Sequence, residues 1–350
     1  MNNYFEQLNG TIKDYFNILS DEIPDFLYDY INTPEMQKQS GISVSCGTYY
    51  SKIFNNRLWY SSLDHSVAVA LIIWHFTKDK KQTLAGLFHD IATPAFKHCI
   101  DFMNGDYEKQ ESTEELTTEI ISKSKEIMNL LARDEIKLEE VSDYHKYPIA
   151  DNDTPQLSAD RLEYTLSNGL GVIETLWSLD EVKRIYENIE IQTNEKGIEE
   201  LGFKDKQLAE IFVKNMSRLS SDYITNETKL SMQFLADTMK KMSQENLITK
   251  NDLYNLSEKE VIEKIKKCKY ENVAKCFEIW ENATEIGESD TPVDGTYCVS
   301  IKAKIRYIVP LVKEQNEYIR INKISERANE NIDNCLNFKT KKYAYMSFKF

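Results

Sequence analysis

Two apolar stretches dominate the early part of the chain. Residues 64–76, DHSVAVALIIWHF, carry a nearly unbroken aliphatic run, and residues 80–91, KKQTLAGLFHDI, repeat an apolar face at helical spacing. The polar triplet Thr77-Lys78-Asp79 separates them. A connection that short predicts two antiparallel neighbouring helices. Each would be about 18–20 Å long at a rise of about 1.5 Å per residue. Position 65, at the start of one, is then level with positions 89 and 90 at the end of the other. A third helix is predicted from Asp160, with Ser158 as its cap and Asn168-Gly169 as a left-handed stop.

Elsewhere the pattern is more polar. Residues 1–40 read as helical with a turn at Ile23-Pro24, and a loop follows over 41–50. A break at Thr93-Pro94 precedes a helix over 95–104 that Asn104-Gly105 closes. Helices are expected over 111–132 and 135–142, then a loop over 146–157 marked by Pro148 and Pro155. After 175, the segments 178–190, 205–220, 227–246, 257–268 and 270–283 are amphipathic. Residues 284–296 read as a surface loop or linker. Apolar and basic residues alternate over 297–312, which predicts a strand, with 343–350 as its partner.

With only 11 Gly and 7 Pro in 350 residues there are few breaks, and the fold class is mainly α. Three regions are expected: an N-terminal helical segment (1–40), a helical core (41–175) and a helical accessory region with a small terminal sheet (176–350).

Composition narrows the function. No apolar run approaches the roughly 18–20 residues of a membrane span, and MNNYFEQLNG lacks the basic start and apolar stretch of a secretory signal. Six scattered cysteines without a C-x-x-C pair fit reduced thiols and a cytoplasmic address. A net charge of −14 speaks against broad contact with a nucleic-acid backbone. A local basic pocket for a free nucleotide stays open. Lys302, Lys304 and Arg306, then Lys339, Lys341 and Lys342, make the C-terminal end locally basic, as a solvated edge or a phosphate site.

The candidate chemistry lies on the three helices. His65, His89, Asp90 and Asp160 combine two imidazoles with two carboxylates, a suitable nitrogen and oxygen set for a divalent metal. His75 is about 80° around the helix from His65 and roughly 15 Å along it, so it is expected to be structural. His145, in YHKYP, is read as a loop histidine.

The order H…HD…D resembles the HD superfamily of metal-dependent phosphohydrolases and, within it, the dNTP triphosphohydrolase-like branch. HDIATPAFKH at 89–98 is similar to the run in that branch that begins HD and ends F-x-H. ADRLEYTLSN at 159–168 resembles its later segment, and AKIRYIVPLV at 303–312 resembles a basic β-prone one. The resemblance implies an all-α HD core with a divalent ion (Mn, Fe, Co, Ni, Zn or Mg) on His65, His89, Asp90 and Asp160. It also implies hydrolysis of a small phosphate ester, a nucleotide above all, by metal-activated water, and a homo-oligomer. His98 matches a catalytic or phosphate-contacting histidine of the branch.

Departures from the branch are equally specific. Thr93 and Gln110 stand where it has histidines, Ser62 where it has an arginine, and Asn168 where an acid reads the sugar. Glu111 and Glu114 are one helical turn apart and could assume the proton-transfer role beside Gln110. Their plainer reading is an acidic helix start. Arg161 is a candidate for phosphate contact and Tyr164 for the nucleoside, with Thr93 and Asn168 as further substrate-side positions. The alternatives are a binding or regulatory protein of the same fold that has lost turnover and, against the charge, an HD nuclease.

Overall fold

The structure, a computed structural model, describes residues 4–54, 57–105 and 116–350. At its centre lies helix α2, after the N-terminal helix α1 (Gly10–Leu19). Helix α2 (Ser62–Thr77) is buried on every side from Ser62 to Ile73. Ser61 caps it through a capping box with Asp64, and the Tyr4 hydroxyl holds the same carboxylate at 2.5 Å. This fixes the first turn, which carries His65. Lys78, in the left-handed conformation, ends α2, and Asp79 caps the antiparallel α3 (Lys80–Phe88). Gly86 lets the two approach, since a Cβ there would lie 2.3 Å from Ile73 Cδ1. The predicted hairpin is present, but α3 stops at Phe88, and 89–98 form turns.

The short helix α4 (Cys99–Asn104) ends on left-handed Gly105. It replaces the expected helix over 95–104. Instead of one helix over 111–132, the described residues form Thr117–Lys123 and Lys125–Arg133, joined at Ser124, which terminates the first and caps the second. Residues 135–142 hold only a single 3-10 turn, Leu138–Glu140.

Helix α5 (Ala159–Gly169) starts as predicted, with the Ser158 hydroxyl accepting the Arg161 N–H. Its end differs from expectation. Gly169 is not left-handed; it makes room for Trp177, whose ring would sit 2.6 Å from a Cβ at that position. Downstream, α6 (Lys206–Asp222), α7 (Asn226–Gln244), α8 (Glu258–Lys266), α9 (Glu271–Asn282) and α10 (Glu326–Leu336) are among the later helices, beside Leu179–Glu187 and the short Lys250–Asn255 and Ile321–Ile324. None of the described helices is long and apolar enough to cross a membrane.

Among the described residues, two small sheets complete the fold. Hairpin β1 (Ile189–Thr193)–β2 (Glu199–Phe203) joins β5 (Leu311–Glu314) and β6 (Glu317–Arg320) in the order β1-β2-β5-β6, with β2 and β5 parallel. The second sheet is antiparallel, β3 (Gly287–Ser289)–β7 (Tyr343–Met346)–β4 (Tyr297–Val299). The predicted strand over 297–312 is thus two strands, one in each sheet, linked by chain without regular secondary structure. The predicted pairing with the C-terminal segment holds for β4.

The apolar interior forms two clusters that do not follow chain order. One joins the N-terminal helices, α2, α3, α5, α6 and the first sheet. The other joins Ile42, Cys46 and residues 95–102 to α7, α8, α9 and the second sheet. All six cysteines are free thiols.

Candidate metal centre

The hairpin geometry brings His65 and His89 together with their rings steeply inclined and their Nε2 atoms 3.1 Å apart. Asp160, in the first turn of α5, places Oδ1 3.1 Å from His65 Nε2 and 3.8 Å from His89 Nε2. The far nitrogen of each ring is engaged. His89 Nδ1 donates to the Gly86 carbonyl at 2.7 Å, and His65 Nδ1 is held by the Glu163 carboxylate. Glu163 has no exposed side-chain surface and also accepts from the hydroxyls of Tyr60 (2.7 Å) and Tyr15 (3.3 Å). With both Nδ1 atoms protonated, both Nε2 lone pairs and a carboxylate oxygen converge on one point. Such an arrangement calls for a cation.

Asp90 stands beside this group, with Oδ2 3.8 Å from His89 Nε2 and 4.0 Å from His65 Nε2. That oxygen also accepts from Lys97 Nζ at 2.5 Å and from the Ser62 hydroxyl at 3.2 Å. Ligand atoms about 2.0–2.2 Å from one ion lie within about 4.4 Å of each other, and all these separations meet that limit. His65, His89 and Asp160 form a group able to hold a metal ion, with Asp90 at its edge. The carboxylate–histidine pairing of Glu163 with His65 is the outer support such sites require.

The electrostatics agree. Burial would depress the His65 imidazole, but Glu163 and Asp160 lift it to about 10, so without a metal the Nε2 position holds a proton that an incoming metal ion would displace. Burial would raise the Asp160 carboxyl, yet His65 and then His89 hold it well below the carboxylate range. Asp90 is likewise lowered against burial, by Lys97 and the two imidazoles. Positive charge is favoured at this point.

The group opens on a cavity of about 680 Å³, within the size range of small-molecule sites. His98 lines it. Its Nδ1 meets the fully buried Asp101 carboxylate at 2.8 Å, and its Nε2 lies 3.5 Å from Arg306 Nη2. Burial, aided by Arg306, lowers the His98 pKa despite Asp101. Arg161 and Tyr164 also line the cavity. Arg161 is braced by Asn152 Oδ1 at 2.6 Å and the Gln156 carbonyl, and burial raises the Tyr164 phenol. Asn168 lines the cavity and donates to the Tyr223 hydroxyl at 2.8 Å. It is two helical turns from Asp160, about 12 Å along α5, so the helix runs along the length of the cavity.

Thr93 does not line the cavity; it is buried, and its carbonyl accepts from Lys38. Gln110, Glu111 and Glu114 lie outside the described residues. His75 packs on Phe76 and Tyr186, away from the centre. His145 lines the cavity mouth, 3.5 Å from Asp151. Lys304 and Arg306 line the cavity, whereas Lys341 pairs with Asp290.

Sequence reasoning passed over Lys97, Asp101 and Glu163. Each stands one helical turn or less from a singled-out residue: Lys97 next to His98, Asp101 and Glu163 three positions after His98 and Asp160. That spacing was the available signal.

No known family profile matches the chain. It is 24% identical over 311 residues to the uncharacterized protein YdhJ of Bacillus subtilis, covering 87% of this chain and 89% of that one. Among solved structures, a hypothetical protein from Aquifex aeolicus superposes with a TM-score of 0.64 at 16% identity, over 93% of each chain. A phosphohydrolase from Bacteroides thetaiotaomicron superposes with a TM-score of 0.56 at 13% identity, over 93% of this chain and 96% of its own. At these identities the likeness is one of fold.

Proposed function

We propose that the protein is a metal-dependent phosphohydrolase of the HD type that acts on a small phosphate ester of nucleotide size. The observation that carries this reading is the convergence of His65 Nε2, His89 Nε2 and Asp160 Oδ1, with each imidazole anchored from behind, at the wall of a 680 Å³ cavity. The fold likeness to a solved phosphohydrolase supports it, as does the H…HD…D order.

A divalent metal held by His65, His89 and Asp160, with Asp90 beside them, would lower the pKa of bound water and polarise a phosphoryl oxygen. The remaining work falls to the chain. Lys97, buried against Asp90, keeps that carboxylate ionised and presents an ammonium to the anionic group. Arg306, 3.5 Å from His98 Nε2, supplies a second cationic donor on the wall. His98, with its Nδ1 proton held by Asp101, presents Nε2 as an acceptor able to take a proton from an attacking water. Tyr164 and Asn168, further along α5, would meet the alcohol part of the ester.

The test is a chromatographic assay of the purified chain on nucleoside mono- and triphosphates and p-nitrophenyl phosphate, with Mn²⁺, Co²⁺, Ni²⁺, Mg²⁺ or chelator. Metal-dependent product that is lost in Asp160→Ala and His89→Ala is expected. Full activity in both variants would sink the proposal.

A further inference from the structure

His89, Asp90, Lys97 and His98 all stand on the turns of residues 89–98. Within that segment Phe96 (φ 65°) and Lys97 (φ 44°) occupy the left-handed region, although neither is glycine. Side chains with a Cβ enter that region at a cost and persist there only where the surroundings hold them.

The surroundings that hold them come from elsewhere in the chain. The Ala95 N–H donates to the Leu253 carbonyl at 2.8 Å, and the Thr93 carbonyl accepts from Lys38 Nζ at 2.6 Å. Gln39 Nε2 donates to the Ile91 carbonyl at 2.6 Å. At the strained step itself, the Phe96 N–H donates to Oε1 of Glu258 at 3.2 Å.

Glu258 is the first residue of α8, behind the Ser257 cap. An acid there ordinarily faces water and simply meets the helix dipole. This one has no exposed surface. Burial outweighs the approach of the Ser43 and Phe96 N–H groups and the Tyr50 hydroxyl, and pushes its carboxyl up to about 8. The neutral form therefore prevails at pH 7, and glutamine is its near isostere.

We propose that Glu258 is a positioning residue of the metal centre: by accepting the Phe96 N–H it locks the left-handed Phe96-Lys97 step and so sets the Lys97 ammonium against Asp90. Lys97 Nζ then reaches Asp90 Oδ2 at 2.5 Å and the Ser62 hydroxyl at 3.3 Å. The importance of Lys97 for phosphate rests on the function proposed above; its placement by Glu258 does not.

The experiment compares the full-length wild type with E258L, which removes the acceptor, and E258Q, which keeps it. Pulse acetylation with acetic anhydride is read at each lysine by mass spectrometry, with exposed Lys267 and Lys313 as references and thermal melting as the fold check. Lys97 should acetylate about fivefold faster or more in E258L and within about twofold of wild type in E258Q, with both references unchanged. E258D withdraws the oxygen by one methylene and stands in if E258L melts without cooperativity; it should behave like E258L.

A folded E258L or E258D with Lys97 as protected as in wild type would overturn the proposal. So would an E258Q variant as reactive as E258L, because charge rather than the accepted N–H would then govern. Hydrolysis of p-nitrophenyl phosphate should lose kcat rather than gain KM in E258L and recover in E258Q. If wild type shows no hydrolysis while Lys97 reactivity follows the expected order, the functional reading falls and the positioning role stands.

Discussion

Replacing Glu163 by glutamine tests the metal centre from behind. The carboxylate bonds His65 Nδ1 with one oxygen and the hydroxyls of Tyr60 and Tyr15 with the other. An amide cannot serve both sides. If its carbonyl stays on the tyrosines, its NH₂ faces Nδ1 and drives the His65 proton to Nε2, occupying the lone pair aimed at His89 and Asp160. If it flips, both hydroxyls must turn from donating to accepting, and a charge-assisted bond becomes a neutral one. A hydrogen bond to a charged group contributes about 1.5–3 kcal/mol against about 1 for a neutral one. Supporting partners of metal-bound histidines change affinity by about 10–100-fold when removed. E163Q should therefore bind Co²⁺ or Ni²⁺ about 10–100-fold more weakly in calorimetric titration, with a far-UV spectrum like wild type. Equal affinity within about threefold in a folded E163Q would refute the argument that Glu163 sets the His65 tautomer.

Three further outcomes are expected. Co²⁺ or Mn²⁺ at about 100 times its dissociation constant should stabilise the fold by about 2.7 kcal/mol, seen as a rise in Tm that chelator reverses and that His89→Ala abolishes; a rise that survives in that variant would place the ion elsewhere. Gly169→Ala should cost about 1–2 kcal/mol in urea unfolding, because the new methyl meets the buried Trp177 ring and helix propensity recovers only part of the loss; unchanged stability would show that the ring shifts freely. For Glu258 the unfolded carboxyl ionises near its ordinary value of about 4.3 while the folded one stays protonated to about 8, so in that window the folded state binds more protons and stability falls as pH rises, by up to about 5 kcal/mol. Lys38, lowered to about 7 by burial, works in the opposite sense above pH 7. Glu258 also raises Lys38, so the difference between E258Q and wild type reads the pair, and in that difference both members act in the same direction: E258Q should gain relative stability from pH 5 to pH 8.5, and parallel melting curves would contradict it.

The grouping of His65, His89 and Asp160 was legible in the sequence because it depends on local geometry. A three-residue turn between apolar helices fixes which ends meet, so His65 and His89 had to be neighbours, and Ser158 marked the start of the helix that carries Asp160. What stayed hidden depends on contacts distant along the chain. Hairpin β1–β2 sits at 189–203 with β2 buried on both faces at four of its five positions, which erases the alternation that betrays a strand. Residues 297–312 do alternate, but the chain divides them between two sheets, a partition that no local pattern records. Gly169 has the look of a helix stop, yet its lack of a side chain serves Trp177. The inward turn of Glu258 was unreadable for the same reason, since an acid after Ser257 is what an ordinary helix start looks like.

The interleaving of the two apolar clusters has a consequence for biosynthesis. Helices α2 and α3 leave the ribosome together and can pair at once. The segment that follows, with Phe96, Cys99 and Phe102, packs against α7, Leu253 and α8, which are translated about 130–160 residues later. At about 5–20 residues per second, that apolar segment waits on the order of ten seconds or more for its cover. During this interval the nascent chain holds His65 and His89 but not the support of the turn that bears Lys97. A growing chain of this kind is a natural client for a chaperone, and it acquires its completed centre only when synthesis is nearly finished.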